Sequence, residues 1–379
     1  MTAHQKLTAI KEHLNNQFIE RESLIDTALL ALLIQEHMLI LGLPGTAKSD
    51  LVTEIAKCLQ RSYFIWPMSK TTTPEELFGP YSIPELKNGR YIRITTGKLP
   101  QTQIAFLDEV GKAGGVIQNT LLRAMNEKCF DDGTGDKPIP LETLFGASNE
   151  MLEEEEQQAF FDRFLFRQFS APVTDGKFKA FLKLVNRSRP AAPTISDQEI
   201  GELRQQTASV QIPETIFESA FKIKKKLAAI GITPSDRRWG KCLKALKGNA
   251  VMSNRAVIED EDLLSLQHIL PTLPQDYAAV KSTILEFTFP MITKALEIKD
   301  EAQEAHDKYK DALSRETDTE KQTSLHIAIA KKLEGFLKKI EPILTQSKGK
   351  TEVLKIKEQI ASQRESVLTE VIGSFSMNN

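Results

Sequence analysis

Three cysteines in 379 residues, Cys58, Cys129 and Cys242, leave no room for a disulfide framework: they are widely spaced, carry no Cys-x-x-Cys signature and cannot all pair. They read as reduced thiols and point to a cytoplasmic protein. The six histidines show no zinc-like spacing with one another or with the cysteines, which speaks against a structural metal. No apolar run reaches the roughly 18 residues that a membrane span needs, and the polar first sixteen residues lack the apolar core of a signal peptide. No membrane association is expected. An excess of charge is missing too: 49 basic and 51 acidic residues give a net charge of -2, so no global field recruits nucleic acid or an acidic membrane. A local basic groove stays open. What remains is the composition of an ordinary globular protein, 41% hydrophobic and 26% charged, too long for one small core and long enough for two or three domains.

The chain is organised around residues 39–49, LILGLPGTAKS. An apolar run suited to a buried strand enters a Gly/Pro loop, and Lys48-Ser49 then opens an amphipathic segment over residues 50–59. That order makes a phosphate cradle. Loop glycines let backbone N–H groups turn inward, Lys48 brings a mobile positive charge to the β/γ oxygens, and the Ser49 hydroxyl can sit on Mg²⁺ at a helix N-terminus. The usual pattern has Gly directly before the Lys, where this chain has Ala47; alanine fits if the local φ is negative. An ordinary strand-to-helix turn with a chance lysine is the competing explanation.

The second signal is residues 104–109, IAFLDE. Four apolar residues predict a strand buried on both faces, with Asp108 and Glu109 where it runs out, at the carboxyl edge of an α/β sheet where ligands bind. There an Asp can hold Mg²⁺ through water, and the adjacent Glu can orient and deprotonate an attacking water. A strand ending in a solvated acidic turn is the plain alternative. Residues 141–149, LETLFGASN, supply another strand with a polar tip, where Asn149 can contact a γ-phosphate or lytic water, or simply cap a loop.

Around these lie predicted helices over 24–34 and 117–127, a short strand over 63–66, and a helix start at Thr73-Pro74. Asn88-Gly89 precedes the alternating residues 90–95, which suit an exposed hairpin. The acidic run 153–156 reads as a solvated helix start. Arg163 follows among aromatics and Arg167 after the next apolar pair; a surface ion pair is the common fate of such arginines. A proline-rich joint at 190–193 marks a domain boundary, and helices are expected over 197–206, 213–230 and 236–250. Lys222, Lys224, Lys225 and Lys226 read as a solvated face. Arg237 and Arg238 fall in the first turn of the third helix, where the dipole disfavours cations, so an anionic ligand is a good reason for them. Beyond Pro290, charged helices over 292–313, 325–344 and 353–375, with a turn at 347–350, bury one apolar stripe each, as in a helical bundle or coiled coil.

The ordered set of loop, Asp-Glu strand, Asn-tipped strand, Asp-Arg-Phe segment and helical lid resembles an AAA+ ATPase. More narrowly, TPEELFGP at 73–80, FLDEV at 106–110, NTLL at 119–122, ASNE at 147–150 and SDRRW at 235–239 are similar to the RavA branch of the MoxR ATPases, over residues 24–270. The resemblance implies an α/β P-loop NTPase core, an α/β/α sandwich on a parallel sheet, over 1–190. It implies an all-α lid over 195–290, followed by a C-terminal helical or coiled-coil extension over 291–379. It implies that Gly42, Pro44, Gly45, Thr46, Ala47, Lys48, Ser49 and Asp50 bind ATP, that Ser49 and Asp108 hold Mg²⁺, that Glu109 activates water and that Asn149 is sensor 1. By the same analogy Arg163, or else Arg167, is an arginine finger reaching a neighbour's nucleotide, and Arg237, or else Arg238, is a sensor 2 reaching its own. Residues 91–94 would match the helix-2 insert. Members form hexameric rings and act as chaperone-like remodelling machines, often with a von Willebrand factor A domain protein. A nucleic-acid-stimulated motor and a nucleotide-switched scaffold with little turnover are the two rival functions.

Overall fold

In a computed structural model, described here for residues 1–149, 160–187, 189–316, 318–346 and 350–376, the chain divides into two compact units, Met1–Tyr277 and Ala278–Asn379. The expected acidic helix start at 153–156 and most of the turn at 347–350 lie outside the described residues.

The first unit is built on a parallel sheet of five strands in the order β2-β3-β6-β1-β7: β1 His37–Leu41, β2 Tyr63–Pro67, β3 Ile104–Asp108, β6 Thr143–Ser148 and β7 Phe164–Phe169. β1 and β6 are buried throughout, as their near-continuous apolar sequences require in a sheet covered on both faces. Alternation sorts the side chains. Leu39, Leu41, Ala105 and Leu107 join Ile117, Leu121, Ala124 and Met125 of the helix Gly115–Glu127 in one core. On the other face pack the helices Glu22–Leu33 and Lys48–Cys58, bridged by Ala3–Gln17. This is the expected α/β/α sandwich.

Three local outcomes differ from expectation. Ala47 has φ +59°, in the left-handed region and not at negative φ, because the loop must reverse there to present the helix N-terminus; for an L residue that conformation costs about 1–2 kcal/mol. Residues 90–95 form no hairpin. Asn88-Gly89 instead terminates a short helix, Ile83–Lys87, with Gly89 at φ +72°, and Arg93 bridges back to Tyr81 with its guanidinium 4.2 Å from that ring. The hairpin lies later, β4 Cys129–Asp131 against β5 Asp136–Pro138. Its turn is set by Asp131 and Asp132, whose carboxylates accept from the Gly133 and Thr134 N–H groups at 2.8 Å.

After the sheet come helices Asp175–Val185, Asp197–Ser209, Glu214–Ala229 and Asp236–Met252, the last three within a few residues of the expected bounds. The second unit is a bundle of helices Pro290–Arg315, Thr319–Gln346 and Lys350–Ser376, which pack on one another. Ile329, Leu333, Phe336 and Ile340 of the second helix and Val353, Ile356 and Ile360 of the third are buried at three-and-four spacing, so one stripe of each faces the bundle axis. Tyr309 and His326 make a hydrogen bond inside it.

Candidate active site

Strand order alone brings three chain segments to one edge. β1 lies beside β6, with Leu41 opposite Ser148, and β6 lies beside β3, with Gly146 opposite Leu107. All run in parallel, so the loop after β1, the Asp108-Glu109 end of β3 and Asn149 just past β6 emerge together at the carboxyl edge. The loop is held close to the sheet at Gly42, whose N–H donates to the Ser148 carbonyl at 3.0 Å. A Cβ there would stand 2.1 Å from the Ser170 carbonyl oxygen, so only glycine fits.

Several polar groups at this edge are poorly satisfied. Lys48 is 8% exposed, and its ammonium donates to the carbonyls of Gly42 at 2.8 Å and Leu43 at 3.0 Å. No carboxylate lies within ion-pair distance of it among the described residues. Burial holds its pKa below the ordinary lysine value, Asp108 and Glu109 pull it back up, and Arg21 pushes it further down. Thr46 donates to the Leu43 carbonyl at 3.0 Å. Asp108 accepts from the Glu109 N–H at 3.1 Å, and Glu109, at φ +53°, lies 3.5 Å from Lys112. The Asn149 Oδ1 is buried without a hydrogen-bond partner. Left-handed Ala47 and Glu109 and an orphaned buried amide oxygen gather at one edge, which is where strain and unsatisfied groups mark a ligand site.

The loop also lines a cavity of about 1220 Å³. Gly45, Thr46, Ala47 and Asp50 form one wall, and Phe18, Phe178 and Phe181 make the apolar part of another. Asp50 is largely exposed and sits 3.7 Å from Arg189, whose guanidinium lies 5.8 Å from the Phe18 ring. The helix Asp175–Val185 that carries Phe178 and Phe181 has no buried residue.

The four arginines considered from sequence separate into two kinds. Arg167 donates to the carbonyls of Phe161, Pro271 and Thr272, and burial brings its pKa down to about 9. Arg238, 3% exposed, donates to Asp162 and to the carbonyls of Phe164, Leu165 and Ile269. Both are committed to the fold, so the dipole-disfavoured position of Arg238 is explained by Asp162 and carbonyls. Arg237 is exposed. Arg163 has a buried Nε without a partner and lies 3.9 Å from Asp162; burial and then the charge of Arg237 lower its pKa. Lys224 pairs with Asp236 at 3.3 Å and Lys225 lies 4.6 Å from the Phe221 ring, so the lysine run is a solvated face.

With the geometry in place, comparison with known proteins gives the class. Residues 5–205 match the family described as the MoxR domain in the MoxR-vWA-beta-propeller ternary systems, and residues 215–284 match an AAA lid domain. The chain belongs to the MoxR family of AAA+ ATPases. Among its relatives is an uncharacterized protein of Methanocaldococcus jannaschii, 42% identical over 285 residues, 75% of this chain and 74% of that protein. Chaperone MoxR1 of Mycobacterium tuberculosis is 26% identical over 153 residues, 39% of this chain and 40% of that protein. A crystal structure from Cytophaga hutchinsonii shares the fold at a TM-score of 0.63 and 19% identity, covering 75% of this chain and 94% of that one. Among the described residues no helix is long and apolar enough to cross a membrane.

Sequence reasoning missed Phe18, Arg21, Phe178, Phe181 and Arg189. A signal for one was present: Arg21 stands at the N-cap of the helix Glu22–Leu33, where the dipole disfavours a cation, the same anomaly that drew attention to Arg237.

Proposed function

We propose that this chain is a cytoplasmic, Mg²⁺-dependent ATPase whose turnover drives chaperone-like remodelling of a protein partner by a homo-oligomeric, hexameric ring. One observation carries the reading. Lys48, Asp108, Glu109 and Asn149 converge at a single sheet edge, with the lysine turned onto loop carbonyls and the amide oxygen unpaired. Such groups fit a polyphosphate and a water better than they fit one another. The Gly42 to Ser49 loop would hold the phosphates, and the apolar wall of Phe18, Phe178 and Phe181 suits a purine base. Ser49 and Asp108 would hold Mg²⁺, which when bound supplies charge neutralisation at the β/γ oxygens. Glu109 accepts the proton of the attacking water and Asn149 orients it.

Of the arginines, Arg163 and Arg237 keep the freedom that a finger and a sensor 2 require, while Arg167 and Arg238 are bound into the fold. The charge of Arg237 reaches Arg163, and the two are read in separate roles, Arg163 on the neighbouring subunit's nucleotide and Arg237 on its own. The lid is assigned to 195–290 and the remainder to a docking extension. A von Willebrand factor A domain protein is the proposed partner, supported by the systems for which the matching family is named.

A phosphate-release assay tests the core of this reading. Glu109→Gln is expected to keep ATP binding and lose about 10²–10⁴ in turnover, the usual contribution of a positioned base. Unchanged turnover in that variant would end the assignment, and stimulation by DNA or RNA would shift it to a nucleic-acid motor.

A further inference from the structure

We propose that Arg21 is a phosphate-binding residue of the nucleotide site: a buried guanidinium, fixed by two main-chain carbonyls on the wall of the cavity that the loop also lines, placed to take the polyphosphate chain together with Lys48. The inference deepens the ATPase reading and rests on it.

Arg21 is 8% exposed and borders the same cavity as Gly45, Thr46 and Ala47. Its Nη1 donates to the Glu20 carbonyl at 2.8 Å and its Nη2 to the Ala171 carbonyl at 2.7 Å. Among the described residues no carboxylate stands within ion-pair distance of it. The adjacent Glu20 side chain is engaged elsewhere, accepting from the Thr174 N–H at 2.8 Å and the Thr174 hydroxyl at 2.6 Å. Burial lowers the Arg21 pKa, and Glu20 and Glu22 offset this only through charge at a distance. The guanidinium is thus oriented by carbonyls without a paired carboxylate, an arrangement that is destabilising when buried unless something pairs with it.

The other buried arginines show how the fold normally treats such a charge. Arg61 pairs with Glu142 and Asp197, and Arg238 pairs with Asp162. Arg21 instead feels Glu20 and Glu22 without an ion pair to either, and its own charge reaches Lys48. Arg21 lines the cavity and Lys48 follows directly on Ala47, which lines it too; both cations are 8% exposed and hydrogen-bonded to carbonyls, and a nucleoside di- or triphosphate is the chemistry that relieves both. The planar fork suits bidentate contact with phosphate oxygens, which a lysine would not reproduce.

The plain alternative is a clamp that only ties residue 20–21 backbone to residue 171. Nucleotide affinities separate the two. Arg21→Gln is expected to weaken ATP and ADP by about 10–100-fold, the range of a lost charge-assisted bond, while adenosine, measured by competition, changes less than about two-fold because it carries no phosphate. An equal loss across all three ligands, or no loss for ATP, overturns the proposal. Should Arg21→Gln fail to fold, the wild-type chain crystallised with ADP decides: a phosphate oxygen within about 3.5 Å of an Arg21 nitrogen supports it, and an ADP seated in the loop with all phosphate oxygens beyond that reach overturns it. Lys48→Ala is the control. If wild type binds no nucleotide, the ATPase reading itself falls; if wild type binds, Lys48→Ala does not, and Arg21→Gln matches wild type, only this inference falls.

Discussion

Two regions of the first unit bury charge in opposite ways. Beneath the sheet, Glu142 accepts from Arg61 at 3.1 Å and from Arg204 at 2.8 Å, and Asp197 meets Arg61 as well, so each buried charge has a fixed counter-charge from a distant part of the chain. At the carboxyl edge Lys48 and Arg21 are as deeply buried, yet carbonyls are their hydrogen-bond partners. The first arrangement is complete in itself and ties the helix Asp197–Ser209 to the sheet. The second has no ion-pair partner among the described residues, and on the proposed reading a polyanion supplies it, which would separate a structural charge from a functional one at equal burial.

The comparison breaks first at the arginines. Arg163→Ala is expected to reduce ATP turnover by about 10³-fold or more, as for a finger lost from a phosphoryl-transfer site, with the melting temperature unchanged because its 3.9 Å contact to Asp162 contributes little. Mixing it with Glu109→Gln subunits should restore part of the activity; no rescue would argue against action across an interface. Glu142→Ala tests the opposite region. It leaves Arg61 and Arg204 without their shared carboxylate and should lower unfolding free energy by about 3–5 kcal/mol in urea titrations, with nucleotide affinity of the folded protein intact. A loss under about 1 kcal/mol would rank the network with ordinary surface pairs.

The smallest effect concerns His37, which begins β1 beneath the loop. Its Nδ1 accepts from the Leu144 N–H at 3.0 Å and its Nε2 donates to the Met125 carbonyl at 3.1 Å, so the neutral ring completes the ladder. Burial pushes its pKa down to about 3 from an ordinary 6.5. Between those values the unfolded chain binds a proton that the folded chain refuses, so the contribution is intact above pH 6.5 and is lost as pH falls. The loss is about 2 kcal/mol between pH 6.5 and 5. Urea midpoints across that range should show the slope in wild type and flatten in His37→Gln.

Much of the core was legible because its signals are local. Apolar runs of strand length ending in Gly, Asp-Glu or Asn mark β1, β3 and β6, and a parallel sheet forces such ends to one edge. Capping chemistry placed the helix starts at Thr73 and Ser235. Residues 88–95 were misread because Asn-Gly ends a helix as readily as it turns a hairpin, and which applies depends on whether the preceding residues are helical. The sign of φ at Ala47 was equally invisible, since it is imposed by closure of the loop and not by the residue.

The sequence by itself determined which strands are buried, where the loop and the paired carboxylates fall, and that helices follow, since periodicity and capping act over a few residues. Only the tertiary structure decided which arginines are spent on the fold and which are not. Arg163 and Arg167, or Arg237 and Arg238, are chemically identical, and what distinguishes them is whether carbonyls and an aspartate from residues 161–165 and 269–272 close around the guanidinium. Arg21 belongs to the same lesson: the Ala171 carbonyl that holds it is 150 residues away, so its burial on a distant carbonyl exists only in three dimensions.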